Sequence, residues 1–195
     1  MTAKDLLPIA IFGLVAALLP FFVTAGTWLN FAVFTLIICL AAQGWNILGG
    51  YGGQYSFGHA AFFGTAAYAT AILQVRYGVD PYLGFAVGIA AAGAVGWVIG
   101  ALSFRSGLRG SYFALVTLAF AEVLRVLANA SEWTGGAAGV LIKLDVRASN
   151  FQFADRATFY WVALALVLVA LVITRALERS RLGAQLVAVR ENESA

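Results

Sequence analysis

The chain has 195 residues, of which 62% are hydrophobic and 11% charged, with a net charge of +3 and a mean hydropathy of +0.89. Soluble domains are about half apolar and a quarter charged, so a water-soluble fold is excluded and lipid is the expected solvent. A single histidine and a single cysteine without clustered carboxylates exclude an internal disulfide and a three- or four-ligand metal site, and so small a net charge gives no sign of a nucleic-acid partner.

Apolar runs long enough to cross a bilayer, about 20 residues each, fall at 6–23, 28–48, 57–75, 81–103, 111–130 and 157–174. Most are apolar all round, as spans are. The expected fold class is therefore all-α, a polytopic helical membrane protein with about six spans. In the first run, "VTA" before Gly26 resembles a leader cleavage site. Asp5, standing in what would be a purely positive leading region, and the five runs that follow favour a span. Cys39, inside the second run, reads as a small buried hydrophobe.

Between the second and third runs stands "NILGGYGGQYSFGHAAFFG", with glycines at 49, 50, 52, 53, 58 and 64 and the chain's one histidine, His59. Gln43 and Asn46 lie three apart on one face of the preceding helix. Glycines 49, 50, 52 and 53 lower helix propensity by about 1 kcal/mol each against alanine. A helix is expected to resume near Ser56, placing Ser56 and His59 on one face. Two readings stay open at this point. The stretch is a cytoplasmic turn, or it is a helix break of the kind that handles polar solutes in transporters. A nucleophile–base pair of Ser56 and His59 is disfavoured, because such groups usually come from separate segments and no second histidine is present. The glycines do not form a phosphate loop, since no Gly-Lys-Ser/Thr follows, and Gly50-Tyr51-Gly52 lacks the third glycine of a dinucleotide fingerprint. No cofactor is expected.

In the fourth run, Gly84, Gly88, Ala92, Gly96 and Gly100 recur every four residues and predict close packing against another helix. The fifth run, "SYFALVTLAFAEVLRVLANA", carries Glu122 and Arg125 three apart, with Asn129 extending the same face. The favoured reading is a structural intramembrane ion pair rather than a solute contact. The loop "SEWTGGAAGVLIKLDV" is expected to dip back or to pack as a lid. The tail "RALERSRLGAQLVAVRENESA" reads either as a short interfacial helix with Leu182, Leu186 and Val187 or Val189 on one face, or as a solvated segment.

Loop charge orients the runs. Lys4, Arg105, Arg109, Arg175, Arg179, Arg181 and Arg190 fall on one side, against Arg76, Lys143, Arg147 and Arg156 on the other. That excess places the amino terminus, the 104–110 loop and the tail in the cytoplasm.

Four ordered blocks, "NILGGYGGQYSFGHAAFFGTAAYA", "LRGSYFALVTLAFAEVLRVL", "WTGGAAGV" and "RLGAQLVAVRENESA", resemble the M-type permease subunit of bacterial branched-chain amino acid ABC importers, from about residue 35 to the end. The resemblance implies a multi-pass protein of the inner membrane that is not itself an enzyme. It also implies a second permease subunit, two cytoplasmic ATP-binding subunits that hydrolyse ATP, and an external solute-binding protein. Residues 1–195 would form one transmembrane permease domain, incomplete at its carboxyl end, and would not transport alone. Residues 178–195 would begin the cytoplasmic coupling segment, with Arg190, Glu191, Glu193, Ser194 and Ala195 resembling the start of the family's Glu-Ala-Ala type motif. Gln43, Asn46, Gln54, Ser56 and His59 would be candidates for the translocation path. The rivals are a same-family permease for urea, amides or other amino acids, an intramembrane hydrolase using Ser56 and His59, and a purely structural membrane subunit.

Overall fold

A computed structural model describes residues 3–108 and 110–191. Its elements are α1 (Ala3–Phe22), α2 (Gly26–Asn46), a π-helical segment (Ile47–Tyr51), α3 (His59–Tyr77), α4 (Pro81–Arg105), α5 (Gly110–Ala130), α6 (Arg156–Glu178) and α7 (Arg181–Glu191). No strand occurs among the described residues. Every predicted run is a helix, and helical boundaries differ from the predicted ones by a few residues. Five helices, α1, α2, α4, α5 and α6, are long and apolar enough to cross a membrane. The third run, α3, falls outside that group because Thr65, Thr70, Gln74 and Arg76 dilute it. At 19 residues it still measures about 28 Å, and it lies antiparallel along α4.

The chain forms two compact units, one from the described residues up to Gly53 together with those from Phe153 onward, the other Gln54–Gln152. In the first, α6 is the centre. Asp155 caps its start by accepting from the Ala157 amide at 3.1 Å, which satisfies one otherwise orphaned N–H. Tyr160, Ala163, Leu164 and Val167 form its buried stripe and meet Leu36 of α2, flanked by Ala16, Ala17 and Leu19 of α1. The Tyr160 hydroxyl donates to the Ala16 carbonyl at 2.8 Å, and Trp161 Nε1 to that of Ala17 at 3.2 Å. At the opposite end of α1, Asp5 forms ion pairs with Arg175, at 3.0 Å, and with Arg179. Outward-facing side chains such as Leu14, Phe22, Trp28 and Phe31 are exposed; such a surface suits lipid and would be penalised in water. Cys39 belongs to that exposed surface, contrary to the expectation of burial, because the buried stripe of α2 runs through Leu29 and Leu36.

In the second unit, α3 ends at Gly78 and α4 begins under Asp80, whose carboxylate accepts from the Tyr82 amide at 2.9 Å. The small-residue face of α4 packs on α3 as expected. A Cβ at Gly88 would lie 2.6 Å from Thr70 Oγ1 and 2.7 Å from the Ala66 carbonyl, and one at Gly96 would lie 3.6 Å from Phe62. Thr70 Oγ1 donates to Ala66 O at 2.8 Å and reaches Gly84 O at 3.2 Å, tying the two backbones. The 131–152 segment packs across the end of this hairpin, in keeping with the expected lid. Arg76 donates to the Glu132 carbonyl at 2.8 Å, the Tyr82 hydroxyl donates to that of Ala148 at 2.7 Å, and Phe151 stacks on Phe85. Within the segment, hydrogen bonding from the Arg147 guanidinium holds the Asp145 carboxyl below its usual range.

The basic asymmetry has a direct check. With Cys39 replaced by serine, cysteines placed at Ser106 and Ser180 should resist an impermeant thiol reagent added to intact cells, and should react once the membrane is opened. Ready labelling of both in intact cells would reverse the assigned orientation.

Candidate functional site

The glycine-rich stretch is built differently on its two sides. On the first unit's side, α2 does not break at Gly49 and Gly50, as propensity predicts. It widens into π-winding over Ile47–Tyr51, a form that occurs mostly as single-turn bulges and often at functional sites. The indole of Trp45 folds over Gly49 and the Asn46 amide over Gly50, in space that a Cβ would occupy. The chain turns out of the helix at Gly53, whose φ of +67° suits glycine and strains most other residues.

Helix α7 packs against this segment. Arg190 Nη1 donates to the Gly50 carbonyl at 2.9 Å, and the Arg190 stem lies where a Cβ on Gly53 would be, 2.6 Å away. Leu186 sits beside Gly52. Arg190 also pairs with Glu191 at 2.7 Å. Arg190 is therefore a clasp on the glycine segment. Leu186 and Val187 are half-buried, while Leu182 and Val189 are exposed, so α7 is a docked helix with one covered face. Glu193, Ser194 and Ala195 lie outside the described residues. Gln43 is half-buried on α2, where its Oε1 accepts from Thr174 Oγ1 of α6 at 3.5 Å, and Asn46 is exposed.

On the second unit's side, helix does not resume at Ser56 but at His59. Ser56 is 2% exposed and its Oγ accepts from the Gly58 amide at 3.2 Å. The Phe57 amide donates to Thr117 Oγ1 of α5 at 3.1 Å, and Thr117 in turn donates to the Ala114 carbonyl at 2.9 Å. These bonds satisfy the amides ahead of α3 and hold its entry against α5. Gln54 is buried as well. His59 is half-buried, with its ring edge-on to Phe62 at 5.6 Å. So Ser56 and His59 do not share a helix face, and a hydroxyl this buried is poorly placed as a nucleophile. Thr117 escaped the sequence reading; its only signal was a lone polar residue within "ALVTLAF".

Glu122 and Arg125 pair as predicted, through Arg125 Nε at 2.9 Å and Nη2 at 2.5 Å from the two carboxylate oxygens. They are not packed away. They stand on the wall of a cleft of about 660 Å³ between α3 and α5.

Helices of this length and apolarity define a multi-pass α-helical membrane protein. Residues 27–195 match the family described as branched-chain amino acid transport system / permease component, and the chain belongs to that permease family. It is 33% identical, over 218 aligned positions covering all of its length, to the high-affinity branched-chain amino acid transport system permease protein LivM of Escherichia coli K12. Its identity to the protein of the same name from Salmonella typhimurium LT2 is 32%. The chain spans about half, 51%, of the length of each. No solved structure matches it significantly.

Proposed function

We propose that the chain is the membrane-spanning permease subunit of an ATP-driven importer for branched-chain amino acids, set in the bacterial cytoplasmic membrane. It works with a second permease subunit, two cytoplasmic ATP-binding subunits that hydrolyse the ATP, and an external solute-binding protein. The observation that carries this reading is the family match over residues 27–195.

Within that assignment, residues 178–195 begin the segment that docks on an ATP-binding subunit, with Arg190, Glu191 and Glu193 near the contact. The clasp of Arg190 on Gly50 supports a mechanical role, because movement of α7 would be delivered to the one π-wound turn of α2. The translocation path is assigned to Gln43, Asn46, Gln54, Ser56 and His59. Of these, Asn46 is open to a solute, whereas the buried Gln54 and Ser56 act by holding the break in shape.

Co-purification of the intact assembly tests the assignment. Tagged full-length permease should bring down the second permease and both ATP-binding subunits, and in proteoliposomes the assembly should accumulate leucine when ATP and the external binding protein are supplied. Recovery without ATP-binding subunits would refute it. In the same system, Arg190→Ala removes a charge-assisted hydrogen bond and should lower uptake about tenfold while ATP hydrolysis continues. Equal loss of both would place Arg190 in assembly, not coupling.

A further inference from the structure

The cleft between α3 and α5 is walled by Phe57, Leu118 and Leu124, with Tyr68 and Asn129 among its polar members. Its volume of about 660 Å³ falls inside the roughly 300–1,000 Å³ of small-molecule sites. The ion pair on its wall is unusual for a membrane helix: the Arg125 and Glu122 side chains remain 62% and 57% exposed. Ionisable residues in such segments are costly and commonly face an interior cavity. Glu122 takes two of the guanidinium's five N–H donors. Among the described residues no other group bonds to either side chain, so three donors and the carboxylate's remaining lone pairs are available to a solute.

We propose that this cleft binds an α-amino acid as its zwitterion, the carboxylate on Arg125, the ammonium on Glu122 and the aliphatic side chain against Phe57, Leu118 and Leu124. The inference rests on the permease reading above and names a solute subsite within it. A guanidinium receives a carboxylate through two parallel N–H bonds, and the neighbouring carboxylate, one helical turn away, supplies the counter-charge for the ammonium. The pair has no net charge, so it offers no advantage to a bare anion such as phosphate, and one carboxylate is too few ligands for a metal. A ligand carrying only the acid or only the amine matches one charge of the pair and gives up the charge-assisted contact with the other.

The test uses the complete permease assembly in lipid nanodiscs without the external binding protein, with radiolabelled leucine as probe. Leucine should bind, and unlabelled leucine and valine should displace it. Isoamylamine and isocaproate, which lack the carboxylate and the ammonium respectively, should each compete at least about tenfold less well. The double variant Glu122→Gln/Arg125→Gln, which leaves no unpaired charge behind, should bind leucine at least about tenfold more weakly. Unchanged binding in that variant, equal competition by the amine or the acid, or no binding to the wild-type assembly would each overturn the proposal. The competition series needs no variant, so it decides even where the double substitution fails to assemble. Leucine uptake by cells carrying the wild-type assembly separates the two levels. Its absence removes the transport reading, whereas uptake combined with any of the contrary binding results removes the cleft alone.

Discussion

Gly88→Leu should prevent the α3–α4 hairpin from closing. A Cβ there would meet the Ala66 carbonyl at 2.7 Å and Thr70 Oγ1 at 2.6 Å, and the carbonyl belongs to a rigid helix that cannot step aside. Separating the helices would also break the reach of Thr70 Oγ1 to Gly84. Overpacking a tight contact costs about 1–3 kcal/mol, and a clash with backbone belongs at the upper end, a large part of the stability of an ordinary domain. The expected result is little or no monodisperse protein after detergent extraction. Gly93→Leu is the control, since a Cβ at Gly93 meets nothing within 4 Å, and it should be recovered normally. Gly96→Leu should fall between them, with only the Phe62 ring to displace. Equal recovery of the Gly88 and Gly93 variants would mean that the stripe does not pack as described.

Asp5→Ala should destabilise the first unit more than any other single loss of a surface-end charge. The Asp5 side chain is 4% exposed and faces both Arg175 and Arg179. Removing it leaves two guanidiniums without their shared buried acceptor, and because Arg175 and Arg179 are themselves one third and nearly half exposed, water takes up part of the loss. Arg175 keeps Glu178, at 2.5 Å, which softens the effect; Arg179 has no such substitute among the ion pairs of the described residues. Asp5→Asn, which retains an acceptor, should cost less. Thermal unfolding followed by size-exclusion recovery checks the order: wild type above Asn above Ala. An alanine variant as stable as wild type would mean that the two arginines are satisfied without Asp5.

What could be read from the sequence was local. Each apolar run announced its helix. The spacing of Gly84, Gly88 and Gly96 identified a packing face, and the three-residue spacing of Glu122 and Arg125 identified an ion pair. What escaped depends on residues distant in the chain. Arg190 reaches Gly50 across 140 positions and Arg175 reaches Asp5 across 170, and no periodicity carries such contacts. The π-winding also escaped, because glycine propensity predicts a break and takes no account of Trp45 and Asn46 folding over Gly49 and Gly50. The same limit hid the bond from the Phe57 amide to Thr117 of a different helix, which anchors the entry to α3. The ion pair was legible while the cleft beside it was not, since a cleft is a property of two helices together.

Leucine accumulation is the measurement closest to the central claim. Cells lacking the gene for the full-length permease should lose energy-dependent uptake of radiolabelled leucine at low external concentration, and the intact gene should restore it. Uptake of urea and short amides should be untouched. Undiminished leucine uptake in the deletion, or loss of urea or amide uptake in its place, would contradict the assignment of this chain to branched-chain amino acid import.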